Sequence, residues 1–373
     1  MAKKKLERKD PHRWLGKTVA AGEHRTFQVT VSSSYLGADI TIPIVVWRGL
    51  KPGPSVFLTA AVHGDELNGT GAVHQLLSSP PFALRAGTLI SAPVVNLLGF
   101  ERHSRYLPDR RDLNRMFPGS SRGSLASRMA RVIFDEIVGR ADFGIDLHTA
   151  ALHRTNFPNV RADLSVPALA SLARAFGTEL IVDSLGPSGS LRRSATKVGC
   201  PTLILEAGEV WKVEPAAVAY AVRGVTNALI HLGMVEGELE RPPYQVTLQD
   251  RRWIRARHGG FLRFHVSPGE LVDRHQPIAT HTRLTGETVS QIKAPRGGII
   301  LSMTTLPSVA PGDPICHLAF PQEDLRKVEQ AVRRLENDSL HEQTREDLAT
   351  SLNVSPPATH DGPAKPPTAV AED

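Results

Sequence analysis

The sequence predicts an α/β protein: a mostly parallel or mixed sheet with helices on both faces, followed by a small C-terminal β barrel or sandwich. Two observations carry this. After "KPGP", short apolar strand-like runs alternate with helix-like runs as far as residue 232, the pattern of a sheet covered on both sides. From about residue 246 short strands take over, broken by Gly-Gly and Pro-Gly turns.

The elements follow in order. "HRTFQVTVSS" and "ADITIPIVVWRG" are extended, partly alternating segments that should pair. "PSVFLTAAV" reads as a strand, "ELNGTGAVHQLLSS" as a helix and "GTLISAPVVN" as a strand, with a long polar excursion to residue 122. "SLASRMARVIFDEIVGRA" is helical, with Met129, Ile133 and Ile137 four apart. "DFGIDL", "TELIVD" and "PTLILEAG" are strands; "VPALASLARAFG", "SLRRSATKVG" and "EPAAVAYAVRGVTNALIHLG" are helices, the last with a Glu-Pro start and a Gly stop.

This gives a basic arm over residues 1–24, an α/β domain over 25–245 and a β domain over 246–320. A charged helix over 321–350 and a Pro/Ala-rich tail over 351–373, expected to be disordered, complete the chain. The β domain has two similar halves, "IRARHGGFLRFHVSPGELVDRHQPIATH" and "QIKAPRGGIILSMTTLPSVAPGDPICHLA". They resemble the hammerhead barrels of lipoyl and biotinyl domains, but the intervening hairpin "RLTGET" has no lysine to carry a cofactor.

Composition narrows the function classes. The 373 residues are 41% hydrophobic and 22% charged, ordinary for a soluble globular protein, with no apolar run long enough for a membrane span. Cys200 and Cys316 stand alone and far apart, which argues against a disulfide framework and for a reducing cytoplasm. The net charge of +6 sits partly in the arm, where seven Lys/Arg face two acids in the first 17 residues. Without a recognition motif that is expected to be a solvated terminus, and no nucleic-acid or membrane partner is expected.

In open α/β sheets ligands bind beyond the carboxyl ends of the strands. His63 and Glu66 follow "FLTAAV", His148 ends "DFGIDL" and Glu206 ends "PTLIL". One histidine at a strand end is ordinarily a satisfied polar cap, and one glutamate a first-turn helix acid. Two histidines and a carboxylate converging from separate strands instead form a catalytic zinc set, with one position left for water. Asp146, two residues before His148, points to the same side and can orient an imidazole. The loop "GFERHSRYLPDRRDLNRMFPG" adds arginines suited to an anionic substrate, and Arg192-Arg193 form a second cluster ahead of Glu206.

"HGDE", "DLNR.FPG" (Asp112 to Gly119), "DLH" and "LEAGE", in this order, resemble the succinylglutamate desuccinylase/aspartoacylase family, relatives of zinc carboxypeptidases. The resemblance covers roughly residues 25–320 and implies a zinc carboxypeptidase-like catalytic domain. It implies one Zn2+ per chain on His63, Glu66 and His148, with Glu206 as general base and Arg105 polarising the scissile carbonyl. Asn114 and Arg115 would grip a substrate carboxylate, with Arg192 as a second clamp. Glu209 is the rival base, and Arg102 the rival arginine, because the spacing to "DLNR" is two residues longer than in aspartoacylase.

The implied activity is a zinc-dependent deacylase, cleaving the amide of a small anionic N-acyl amino acid or similar acylated amine. The alternatives are a metallocarboxypeptidase acting on peptide ends and a non-catalytic binding protein using the β domain and the arm. A cytoplasmic setting and a possible homo-oligomer complete the expectation.

Overall fold

The computed structural model describes residues 8–34, 36–336 and 338–355. A short pair, β1 (Arg13–Trp14) and β2 (Lys17–Thr18), precedes an antiparallel hairpin of β3 (His24–Ser33) and β4 (Asp39–Arg48). β5 (Lys51–Ala60) passes through α1 (Asn68–Ser78) to β6 (Ala86–Ala92), parallel to β5. After α2 (Leu97–Phe100) and α3 (Leu125–Glu136), β7 (Phe143–His148) runs parallel to β5 on its other side. Then come β8 (Arg154–Ala162), α4 (Pro167–Phe176), β9 (Leu180–Asp183), α5 (Leu191–Lys197), β10 (Thr202–Gly208) and α6 (Pro215–His231).

β5 shows why the central strands read as unbroken apolar runs. Val56, Leu58 and Ala60 enter one core with α1, α4 and α6, while Phe57 enters the opposite core with α3 and α5. A strand buried on both faces has to be apolar at consecutive positions. The sheet is mixed: β6, β5, β7 and β10 are parallel neighbours, and β10 then pairs antiparallel with β8.

β8 is a central strand in a stretch for which the sequence pattern gave no element. Its residues "RTNFPNVRA" are half polar and include Pro158, which argues against a central strand. A bulge resolves the conflict: between Glu206 and Gly208 of β10, Phe157 and Pro158 of β8 oppose the single residue Ala207.

The C-terminal region comprises β11 (Val246–Leu248), β12 (Asp250–Arg255), β13 (Gly260–Phe264), β14 (Leu271–Val272) and β15 (Pro277–Thr282), then β16 (Thr288–Lys293), β17 (Gly298–Thr304), β18 (Ser308–Val309) and β19 (Pro314–Phe320). The two sequence halves correspond strand by strand. β12 pairs β19 as β16 pairs β15, β13 pairs β15 as β17 pairs β19, and β13 pairs β18 as β17 pairs β14. The halves differ in their surroundings. β12, β19 and β17 continue the main sheet through a β17–β8 pairing, whereas β13, β15, β16 and β18 form a separate four-stranded sheet. Leu262, Phe264 and Ile278 from that sheet meet Ile300, Ile315 and Leu318 from the main one.

Three expectations change. The described part of the basic arm is packed rather than solvated: Trp14 is buried against Phe27 under the Arg140 guanidinium, and Lys9 pairs with Glu136. The single charged helix is two, α7 (Leu325–Val332) and α8 (Leu340–Ala349), because Ser339 caps a new helix start. Residues 351–355 are tied to the β region through a bridge between Val354 and Phe264, and the disorder expected for 356–373 falls outside the described residues. Among the described residues no helix is long and apolar enough to cross a membrane.

Candidate active site

The strand order brings the ligand-type residues to one edge. Ala60 of β5 lies beside Leu147 of β7, and His148 lies beside Glu206 of β10. Beyond β5 the chain turns at Ala61, with φ of 48°, and delivers His63 and Glu66. Gly64 permits this path: a Cβ there would lie 2.0 Å from the Gly99 carbonyl carbon. Buried Asn96 locks the same contact, accepting from Gly99 N–H at 2.9 Å and donating to the Val62 carbonyl at 3.3 Å. The arginine-rich loop is thereby held against the strand end, and Leu107, Leu113 and Phe117 anchor it in the core.

Glu66 is the hub of the cluster. Its Oε1 lies 2.6 Å from His63 Nδ1 and its Oε2 lies 2.8 Å from His148 Nδ1. The remaining nitrogens face carboxylates, His63 Nε2 at 3.1 Å from Asp112 and His148 Nε2 at 2.8 Å from Asp146. Thr59 steadies Asp146 by donating to its other oxygen at 2.7 Å. Burial alone would make Glu66 harder to ionise, but the two imidazoles outweigh it and hold the carboxyl well below its usual range. Burial also opposes protonation of both histidines, yet the surrounding carboxylates raise both above the ordinary imidazole value.

His63, Glu66 and His148 each offer one ligand atom, all within 4.8 Å of one another. Two imidazoles and a carboxylate, each imidazole oriented through its far nitrogen by an acid, are a donor set that fits zinc.

These three residues open into a cavity of about 250 Å³. Arg105, Asn114, Arg115, Arg192 and Glu206 line it as well. Arg105 reaches Glu66 at 3.4 Å and Asp112 at 3.0 Å. Asn114 lies in the one-turn helix Leu113–Arg115, its Oδ1 accepting from Leu191 N–H at 2.9 Å. Arg115 is half exposed, while Arg192 is buried and donates to the Ser184 carbonyl. Burial, and then Arg161, lower the Arg192 guanidinium to about 10, against the pull of Glu206, Asp163 and Asp146.

Glu206 accepts from Asn156 at 3.0 Å and pairs with Arg161 at 3.1 Å. Its rival is elsewhere: Glu209 pairs with Lys212 and accepts from Thr305, outside the cavity lining. Arg102 is exposed and does not line the cavity either.

Sequence reasoning missed several members of the site. Asp112 was visible in "DLNR" without a role, although a carboxylate near a histidine ligand is a known orienting arrangement. Asn156 and Arg161 come from the overlooked β8. Arg154, Trp253, Ser302 and His317 also line the cavity, three of them from the C-terminal strands, and no local motif marks them.

The profile described as the succinylglutamate desuccinylase/aspartoacylase catalytic domain matches residues 52–232. The N-alpha-acetyl-L-2,4-diaminobutyric acid deacetylase of Halomonas elongata is 29% identical over 302 residues, covering 77% of this chain and 87% of that protein. A succinylglutamate desuccinylase/aspartoacylase structure from Rhodobacter sphaeroides superposes with a TM-score of 0.70 at 26% identity, over 81% of this chain and 96% of that one. The product-bound ectoine utilization protein EutE from Ruegeria pomeroyi superposes with a TM-score of 0.69 at 25% identity, over 79% and 95%.

Proposed function

This chain belongs to the succinylglutamate desuccinylase/aspartoacylase family, and from that premise we propose that it is a zinc-dependent deacylase. Its substrate would be a small, anionic N-acyl amino acid or similar acylated amine, hydrolysed to a carboxylate and a free amine. One observation carries this reading: His63, Glu66 and His148 share an arginine-rich cavity with Glu206, beside His148 on the next strand.

His63, Glu66 and His148 would hold the zinc. Bound there, it would polarise the amide carbonyl and make water nucleophilic near neutral pH. Glu206 would take a proton from the attacking water and deliver it to the departing nitrogen. Arg161 and Asn156 fix the Glu206 carboxylate for that task. Arg105, beside the metal ligands, would hold the carbonyl oxygen as negative charge develops. Asn114, Arg115 and Arg192 would grip a substrate carboxylate.

The relatives support the reaction class, since one is named a deacetylase and others succinylglutamate desuccinylases or aspartoacylases. A metallocarboxypeptidase would need an open cleft for a peptide end. Trp253, Ser302 and His317 from the C-terminal strands wall the cavity instead and favour small amides. A cytoplasmic setting accords with Cys200 and Cys316, both buried and free.

The test is a panel of N-acetyl and N-succinyl amino acids and short peptides, offered to zinc-loaded protein, with Glu206→Gln as control. Hydrolysis of the small amides and a loss of about 10²- to 10⁴-fold in the Gln variant are expected. A Gln variant as fast as the parent overturns the base assignment, and cleavage of the peptides alone overturns the deacylase reading.

A further inference from the structure

The proposed chemistry leaves Arg154, Trp253 and His317 without a task, although all three line the cavity. They belong to a cross-strand row. Trp253 of β12 is the register partner of His317 on β19, His317 of Ser302 on β17, and Ser302 of Asn156 on β8. Asn156 is the residue that donates to Glu206. At roughly 4.8 Å per strand, Trp253 stands about 14 Å along the sheet from Asn156. The row thus leads away from the reacting centre, on the side opposite β7 and the metal ligands.

The far end of the row has a definite chemistry. The Trp253 and His317 rings are stacked, with centroids 4.4 Å apart and planes 7° from parallel. The Arg154 guanidinium carbon lies 5.0 Å from the Trp253 ring centre. Arg154 makes no ion pair among the described residues, and burial and the nearby Arg255 weigh against its charge by more than the Asp313 carboxylate offsets. His317 is held neutral, down to about 3, first by burial and then by Arg161, Arg251 and Arg154. A half-buried cation without a directly paired counter-ion is costly, and a bound anion relieves that cost. An ammonium group placed here would face Arg154, Arg161, Arg251 and Arg255 against the one carboxylate of Asp313.

We propose that Arg154, Trp253 and His317 form a distal subsite for a carboxylate that the substrate carries beyond the scissile amide, separate from the Asn114–Arg115 grip. Arg154 supplies the charge, Trp253 fixes the guanidinium plane by stacking, and neutral His317 buttresses the indole. The subsite therefore selects substrates with a second anionic group over neutral acetyl or ammonium-bearing ones. It rests on the deacylase reading of the same cavity.

The experiment compares zinc-loaded, full-length parent with Arg154→Gln and Trp253→Leu. An acyl arm uses N-acetyl-, N-succinyl- and N-glutarylalanine; an amine arm uses N-acetylglutamate against N-acetylglutamine. The arm showing the carboxylate preference identifies which half of the substrate occupies the subsite. In the variants, kcat/KM for the preferred carboxylated substrate relative to its neutral counterpart falls about tenfold, mainly through KM. Calorimetric binding of glutarate to the same proteins gives a readout independent of hydrolysis, and unfolding temperatures identify a variant that has not folded. If hydrolysis occurs without preference in either arm and both folded variants keep the parent ratios, the subsite is refuted while the deacylase reading stands. If nothing is hydrolysed but glutarate binds the parent and binds Arg154→Gln about tenfold more weakly, the deacylase reading fails and the anion subsite stands.

Discussion

Asp112 and Asp146 stand on either side of the His63–Glu66–His148 cluster, each bonded to the imidazole nitrogen that faces away from Glu66. Removing one negative charge while keeping the shape frees that imidazole to turn. Asp146→Asn is expected to weaken zinc binding about 10- to 100-fold with folding retained, measured by competition with a chromophoric chelator. The same titration carries a pH signature. His63 and His148 are held above the ordinary imidazole value, so on the proposed reading zinc would displace protons from them. Lowering the pH from about 8 to about 6 should therefore weaken binding in the parent. Unchanged affinity in Asp146→Asn would mean that the acid does not orient a ligand. Asp146 was legible because strand residues two apart share a face. Asp112 was not, because its contact with His63 spans 49 positions and depends on how the loop folds back.

At the scale of elements, the conformation of the loop after β5 decides whether the cluster forms. Gly64 sits where a Cβ would collide with the backbone of Gly99 and Phe100, which cannot move aside as a flexible side chain would. Gly64→Ala is expected to destabilise the protein by about 1–3 kcal/mol and to weaken zinc binding, read by denaturant titration and metal competition. An alanine variant with parental stability and affinity would show that the close approach is not required. The helices and parallel strands of this region were readable because periodic apolar patterns and caps, such as Ser124 and Ser190, act locally. β8 was hidden because Arg154, Asn156 and Arg161 face the cavity while Thr155 and Asn159 are buried, so no polar face turns to solvent, and because its bulge breaks the period of two that reveals a strand. The site residues it supplies, Asn156 and Arg161, were lost with it.

For the molecule as a whole, the duplicated β region is part of the cavity as well as an appendage to it. Its repeat was plain in the sequence because both halves carry Gly-Gly and Pro-Gly turns at matching places. That one set of strands joins β8 and the other does not was illegible, since strand partners far apart in sequence leave no local signal. The joining is what puts Trp253, Ser302 and His317 beside a site whose other residues, from His63 to Glu206, all come earlier in the chain. The central claim, a single zinc centre acting on small amides, concerns the assembled molecule and is tested by titrating metal-free protein with zinc while following hydrolysis of an N-acyl amino acid. Activity should be absent without metal, rise linearly and saturate at one equivalent per chain. Full activity in the metal-free protein, or no zinc bound and no activity restored by any divalent ion, would contradict the account.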